Sequence, residues 1–235
     1  IAITARGLAM RGVHNAVGIP KHHSRRSMTF GVLIFPQVEE LDFVGPWEMA
    51  SMLQQVAGGP KCLIVAERAS TVTCAKGLSV NPHVSFEQCP PLDYLLVPGG
   101  QGTRTEVSNV RLLEFVAARG RTCKAVLSVC TGSFVLHAAG LLAGKRATTH
   151  WGSLERLRAL GNVEVVEERY LRDGNVWSSA GVSAGIDLML AFIAETAGED
   201  AATKVQFASE YYPSAKRYGE FHNTHPSAPA YARDA

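Results

Sequence analysis

The sequence predicts an α/β protein with a mostly parallel sheet covered by helices on both faces. Three observations predict it: short apolar runs suited to buried strands, helical patterns alternating with those runs, and Gly- or Pro-bearing turns at the strand ends. The first strand, Thr29–Phe35, passes through Pro36 into an acidic turn, Glu39-Glu40-Leu41-Asp42. A helix is expected from about Gly45, with Pro46 in its first turn, where a missing N–H costs little. Lys61–Ala66 reads as the second strand, and residues 72–88 as a short strand pair or excursion. Asp93–Val97 is a strand running into Pro98-Gly99-Gly100, followed by a loop and a helix near 109–119.

Ala125–Val129 is another short, fully apolar strand. It ends in Cys130-Thr131-Gly132-Ser133, and the helix Phe134–Ala139 follows almost at once, closed by an Ala-Gly-Leu-Leu-Ala-Gly stretch at 139–144. A shorter helix, a strand pair at about 163–179 and a Gly-rich turn come next. The helix from about Ser183 to Glu195 is strongly apolar on its inner face, and a further helix covers roughly 200–210. No internal repeat interrupts this order.

A chain of 235 residues, 46% hydrophobic and 19% charged, suits one domain with a sizeable core and is too apolar for disorder. The net charge of +2 is unevenly placed. Residues 1–27 hold five basic side chains, three histidines and no acid, so the remainder holds 18 basic against 21 acidic residues. That remainder has no electrostatic footprint for nucleic acid. Residues 1–27 also lack periodicity, and are read as an added leader, an over-extended start or a disordered arm. A transit peptide is set aside, because the segment has few serines and no sustained amphipathic helix. The folded domain is expected over 28–212, with residues 213–235, rich in Pro, His, Ser and Ala, as a draped or frayed tail. No apolar run reaches the length of a membrane span, and the expected compartment is the cytosol.

Five cysteines, at 62, 74, 89, 123 and 130, form no CxxC pair. An odd count in a chain of this size argues against a disulfide framework or a zinc cluster. Cys62, Cys74, Cys89 and Cys123 read as small buried hydrophobes. Cys130 differs, because it stands between a buried strand and a helix, where ligands of open α/β sheets gather. Unpaired N–H groups and the positive end of the helix dipole there are expected to lower its pKa and favour the attacking thiolate. Gly132 permits the tight turn. Gly99-Gly100 is expected to aim a backbone N–H at the same point, forming with the N–H of Thr131 a cradle for developing negative charge. Among Glu39, Glu40 and Asp42, residue physics alone does not choose the acid partner, since an acid at a helix start is also an ordinary cap.

Taken together, these residues resemble the ThiJ/PfpI superfamily over most of 29–200. The resemblance rests on Phe35-Pro36, Leu41-Asp42 with Gly45-Pro46, Cys89-Pro-Pro-Leu-Asp93, Pro98-Gly-Gly100, Ser128-Val-Cys-Thr-Gly-Ser133, Ala147-Thr-Thr-His-Trp151 and Ala180-Gly-Val-Ser-Ala-Gly-Ile-Asp187. It implies a flavodoxin-like three-layer sandwich with the cysteine on a nucleophile elbow, and it places the acid partner at Asp42. The protease-like branch carries a histidine directly after the cysteine, whereas this chain has Thr131, which disfavours a Cys-His hydrolase. His150 reads as a structural residue, and so does Asp187. Trp47 reads as core, with the pocket as its other option.

Within the superfamily the sequence is most similar to the isonitrile hydratase branch. That similarity implies hydration of isonitriles to N-substituted formamides through a covalent thioimidate on Cys130. Asp42 supplies the proton and then activates water, Thr131 orients the thiol or water, and Gly100 and Thr131 N–H groups stabilise charge. The implied reaction needs no metal or organic cofactor, only a small-molecule substrate. Two other readings stay open: a glyoxalase-type activity on small electrophiles, and a non-catalytic ligand or redox sensor. The sensor reading follows from a further similarity to the sensor half of AraC-type regulators, although a helix-turn-helix region is missing from this sequence. A homodimer is expected from the superfamily's habit.

Overall fold

The computed structural model describes residues 27–214 and 218–233. Residues 1–26, which carry the leader reading, lie outside the described residues. In chain order the elements are β1 (Thr29–Leu33), α1 (Glu40–Ala57), β2 (Lys61–Ala66), β3 (Val72–Thr73), β4 (Ser79–Val80), β5 (Val84–Ser85), β6 (Tyr94–Val97), α2 (Thr103–Glu106), α3 (Val110–Thr122), β7 (Ala125–Val129) and α4 (Gly132–Ala138). Next come β8 (Lys145–Ala147), a 3-10 turn (Trp151–Ser153), α5 (Leu154–Ala159), β9 (Val163–Val165), β10 (Tyr170–Asp173), β11 (Val176–Ser179), α6 (Ala184–Ala197), α7 (Glu199–Ala208), α8 (Phe221–Thr224) and α9 (Ala230–Arg233).

Seven strands form the central sheet in the order β10-β11-β7-β6-β1-β2-β5. Every pairing in it is parallel except the β10–β11 hairpin at one edge. β1, β6 and β7 are buried along their whole length, which is why they read as continuous apolar runs without alternation. Helices α1, α6 and α7 pack together on one face, and α2, α3 and α4 on the other, giving the flavodoxin-like three-layer sandwich. Between the sheet and α6, Phe30, Tyr94 and Trp177 surround Phe192, with Tyr94 and Trp177 meeting its ring edge-on at 5.1 and 5.5 Å.

Three details differ from the sequence expectation. Helix α1 begins at Glu40 rather than near Gly45, so Pro46 sits inside it. Proline has no N–H to give the residue four earlier, so the carbonyl of Asp42 lacks its helical partner. β8 escaped detection; it pairs with β9 in a separate two-stranded sheet, so only β10 and β11 of the 163–179 region join the main one. The described residues beyond Tyr212 form two short helices, α8 and α9, and His225 among them meets the Trp151 ring at 5.0 Å.

Candidate active site

The site forms where β1, β6 and β7 end, the carboxyl edge at which open α/β sheets bind ligands. β7 leaves the sheet at Val129, and the chain reverses at Cys130 with φ 56°, a left-handed conformation that a cysteine rarely adopts. The Cys130 N–H is shared between the carbonyls of Ser179 and Ala180, at 3.2 and 3.1 Å. Its own carbonyl accepts from Thr149 Oγ1 at 2.9 Å and Ser133 Oγ at 3.2 Å. These bonds hold the elbow in its strained form. Gly132 allows α4 to start against β6, because a Cβ there would lie 2.1 Å from the carbonyl oxygen of Val97.

Asp42 comes from the first turn of α1 and is fully buried. Its Oδ2 accepts from the Gly99 N–H at 2.9 Å, while Oδ1 has no hydrogen-bond partner of good geometry. The Cys130 thiol and the Val182 N–H both approach this carboxyl group closely enough to favour its charged form. Burial outweighs them and, with the nearby Glu39 charge adding to it, pushes the Asp42 pKa up from 3.8 to about 7. The choice among the three acids is visible in the geometry. Glu39 pairs with Lys76 Nζ, and Glu40 Oε1 accepts the Lys76 backbone N–H at 2.7 Å, so both face the β3–β4 turn. Asp42 alone turns inward to the sulfur.

The electrostatics of Cys130 depart from the sequence expectation. Burial pushes its pKa well above the ordinary thiol value, and the Asp42 carboxylate adds to the rise. Hydrogen bonding from the backbone and hydroxyl of Thr131 acts the other way and is the weaker influence. The resting group is therefore a thiol. A helix terminus is worth about 0.3–1 kcal/mol, less than one pKa unit at about 1.4 kcal/mol, so the seven-residue α4 does not overcome burial.

The expected charge cradle also changes. Gly100, at φ 121°, donates its N–H to Thr131 Oγ1 at 3.0 Å, which removes it as a free donor. Thr103 Oγ1 reaches the same hydroxyl at 3.1 Å. Gly100 and Thr131 are thus brought together, but as a strut behind the elbow. The Thr131 N–H is left as a donor acting on sulfur, and the single Thr131 hydroxyl proton is shared between sulfur and the Gly100 carbonyl at 3.3 Å. Gly99 is the residue in closest register. A Cβ on it would lie 2.5 Å from the Thr131 nitrogen and 2.8 Å from Asp42 Oδ2. The residues alone leave Gly99 and Gly100 undistinguished, and the mechanism implied by the resemblance uses Gly100, whereas Gly99 is the one that reaches Asp42.

Val182, also missed, holds φ 55° beside Asp42, a conformation costing a β-branched residue about 1–3 kcal/mol. His150 caps the 3-10 turn, its Nδ1 accepting the Gly152 N–H at 3.1 Å, and burial lowers its pKa, so the ring is neutral. Trp47 stacks on His83 at 5.6 Å, and Asp187 pairs with Arg169 at 2.6 Å. All five cysteines are free and buried, and burial pushes Cys62 and Cys123 up to about 11. Among the described residues no group of three or more His, Cys, Asp or Glu is placed to hold a metal, and no helix is long and apolar enough to cross a membrane.

The DJ-1/PfpI family profile matches residues 28–195. The chain is 40% identical to an isonitrile hydratase of Pseudomonas putida over 202 residues, which is 86% of each protein. A crystal structure of a ThiJ/PfpI family protein from Pseudomonas syringae superposes with a TM-score of 0.78 at 37% identity, covering 88% of this chain and 84% of that one. The HTH-type transcriptional regulator CdhR of Pseudomonas aeruginosa is 30% identical over 76% of this chain, but the match spans only 54% of the regulator.

Proposed function

This chain belongs to the DJ-1/PfpI family, and from that premise we propose that it hydrates isonitriles to N-substituted formamides, with Cys130 as nucleophile and Asp42 as proton carrier. The observation that carries the proposal is a single buried carboxyl group, poised near pH 7, beside a thiol on a strained elbow. The likeness to a named isonitrile hydratase supports the substrate class.

The terminal carbon of R–N≡C carries a lone pair and, once protonated, accepts a nucleophile. In the proposed reaction Asp42 takes the thiol proton of Cys130 and passes it to that carbon as sulfur bonds to the same atom. The product is a neutral thioimidate, R–N=CH–S–Cys130, and Asp42 is again a carboxylate. Water then adds to the imidate carbon while Asp42 moves one of its protons to nitrogen. Asp42 next takes the remaining hydroxyl proton as the carbonyl forms, the carbon–sulfur bond breaks, and Asp42 returns the proton to sulfur. The net change is addition of one water to the isonitrile, releasing R–NH–CHO. A group with a pKa near the working pH can both take and give a proton, as every one of these steps requires. The N–H and hydroxyl of Thr131 support charge on sulfur as it attacks and as it leaves.

Formamide release from an aryl and an alkyl isonitrile, with methylglyoxal consumption measured in parallel, tests the proposal. The wild-type chain is expected to give formamide, and Cys130→Ala and Asp42→Asn to lose about a hundredfold or more. Methylglyoxal consumption without formamide overturns the assignment.

A further inference from the structure

A cavity of about 460 Å³ opens beside the candidate site. Its inner wall includes Ala180, Gly181 and Val182. That loop frames both reacting groups, since the Ala180 carbonyl accepts the Cys130 N–H at 3.1 Å and the Val182 N–H approaches Asp42. His150 lies against Gly181, where a Cβ would come within 2.2 Å of the ring, and Trp151 continues the wall. The outer wall comes from the C-terminal chain, chiefly Tyr218, Ala228, Pro229 and Tyr231. It lies beyond residue 195, where the family match ends.

The lining is suited to an uncharged, apolar group. Its one guanidinium, that of Arg169, is paired with Asp187 at 2.6 Å, and Asp187 also accepts from the Tyr211 hydroxyl at 2.9 Å. His150 is neutral, its acceptor nitrogen already engaged by Gly152. Aromatic rings and small side chains make up most of the rest, together with the imidazoles of His222 and His225. A volume of this size falls in the range of small-ligand pockets, about 300–1,000 Å³, and is far larger than the isonitrile group itself.

We propose that this cavity receives the N-substituent of the substrate and that the C-terminal wall, through Ala228 and Tyr231, selects bulky apolar substituents over small ones. The inference rests on the isonitrile reading for the identity of the ligand, and its test is a binding measurement that needs no turnover. Calorimetry on the full chain carrying Cys130→Ala compares N-benzylformamide with N-methylformamide. The benzyl compound is expected to bind at least about tenfold more tightly. Adding Ala228→Trp, which fills the cavity, or Tyr231→Ala, which opens its wall, is expected to reduce that preference to about threefold or less. Loss of preference in either variant supports the proposal. Equal binding of the two compounds by the parent, or a preference unchanged in both variants, overturns it. Turnover by the wild-type chain is read separately. Preference without formamide production retains the pocket and removes the reaction, and formamide production without preference does the reverse.

Discussion

Asp42 and Cys130 govern each other's protonation: the carboxylate opposes ionisation of the sulfur, while the thiol helps the carboxyl group stay charged. Burial disfavours charge on both, so the pair is held with one proton on sulfur and a carboxyl group near its midpoint at neutral pH. Such a pair is suited to passing one proton during a reaction. A standing thiolate is not needed, and the surroundings do not favour one.

Replacing Asp42 by Asn removes the negative charge that opposes ionisation of Cys130. The expected outcome is a downward shift of the pH profile for iodoacetamide alkylation, with about tenfold faster labelling of Cys130 at pH 7 than in wild type. Isonitrile hydration is expected to fall in the same variant, so thiol reactivity and turnover move in opposite directions. Peptide mapping after timed alkylation checks it, and an unchanged alkylation profile contradicts it.

For the wild-type chain, the productive state holds one proton between the two groups. Below the Asp42 pKa of about 7 both groups are protonated, and no base is present to take the thiol proton. The quantity kcat/KM for an isonitrile is therefore expected to rise with pH through an apparent pKa near 7 and to level off above it. A profile that falls as pH rises from 6 to 8, by about tenfold, requires a different proton carrier.

The same carboxyl group couples pH to stability. Its pKa is about 7 when folded against 3.8 for the ordinary group, so the folded state holds the proton more tightly. Below about pH 4 both states are protonated and nothing is lost. Stability then falls as pH rises toward 7, and the full penalty persists above that. Asp42→Asn removes the penalty and is expected to stabilise the chain at pH 8 by up to a few kcal/mol, with the gain vanishing near pH 4. Urea midpoints at the two pH values measure it, and a gain independent of pH contradicts the assignment.

Thr131→Val keeps the side-chain shape and removes the hydroxyl that accepts the Gly100 N–H at 3.0 Å. Leaving that donor unpaired is expected to cost about 1–3 kcal/mol, whereas Thr131→Ser costs much less. Rescue by Ser of both stability and turnover identifies the hydroxyl strut. Equal loss in both variants points to the methyl group's packing instead.

The sheet was legible because its inner strands are buried on both faces. Lys61–Ala66, apolar from Cys62 onward, and Ala125–Val129, apolar but for Ser128, both match the sequence reading residue for residue. The elbow was legible for a related reason, since a strand ending in Cys-Thr-Gly-Ser leaves the cysteine at the turn. The start of α1 was misread because Pro46 is an ordinary first-turn signal, and only packing shows the helix continuing back to Glu40. β8 is three residues long, too short for periodicity to show. The Cys130 pKa was misjudged because a local dipole can be inferred from sequence, while desolvation by distant segments cannot. For the same reason the sequence could not show that Gly99 rather than Gly100 reaches Asp42, or that the C-terminal chain returns to wall a cavity.

Mass spectrometry of the protein quenched with acid during turnover tests the central claim most directly. Addition of sulfur to the isonitrile carbon adds the whole mass of the isonitrile, and the account places that mass on the peptide containing Cys130, with none in Cys130→Ala. Sustained formamide production by Cys130→Ala, with no adduct on any cysteine of the wild-type chain, would contradict it.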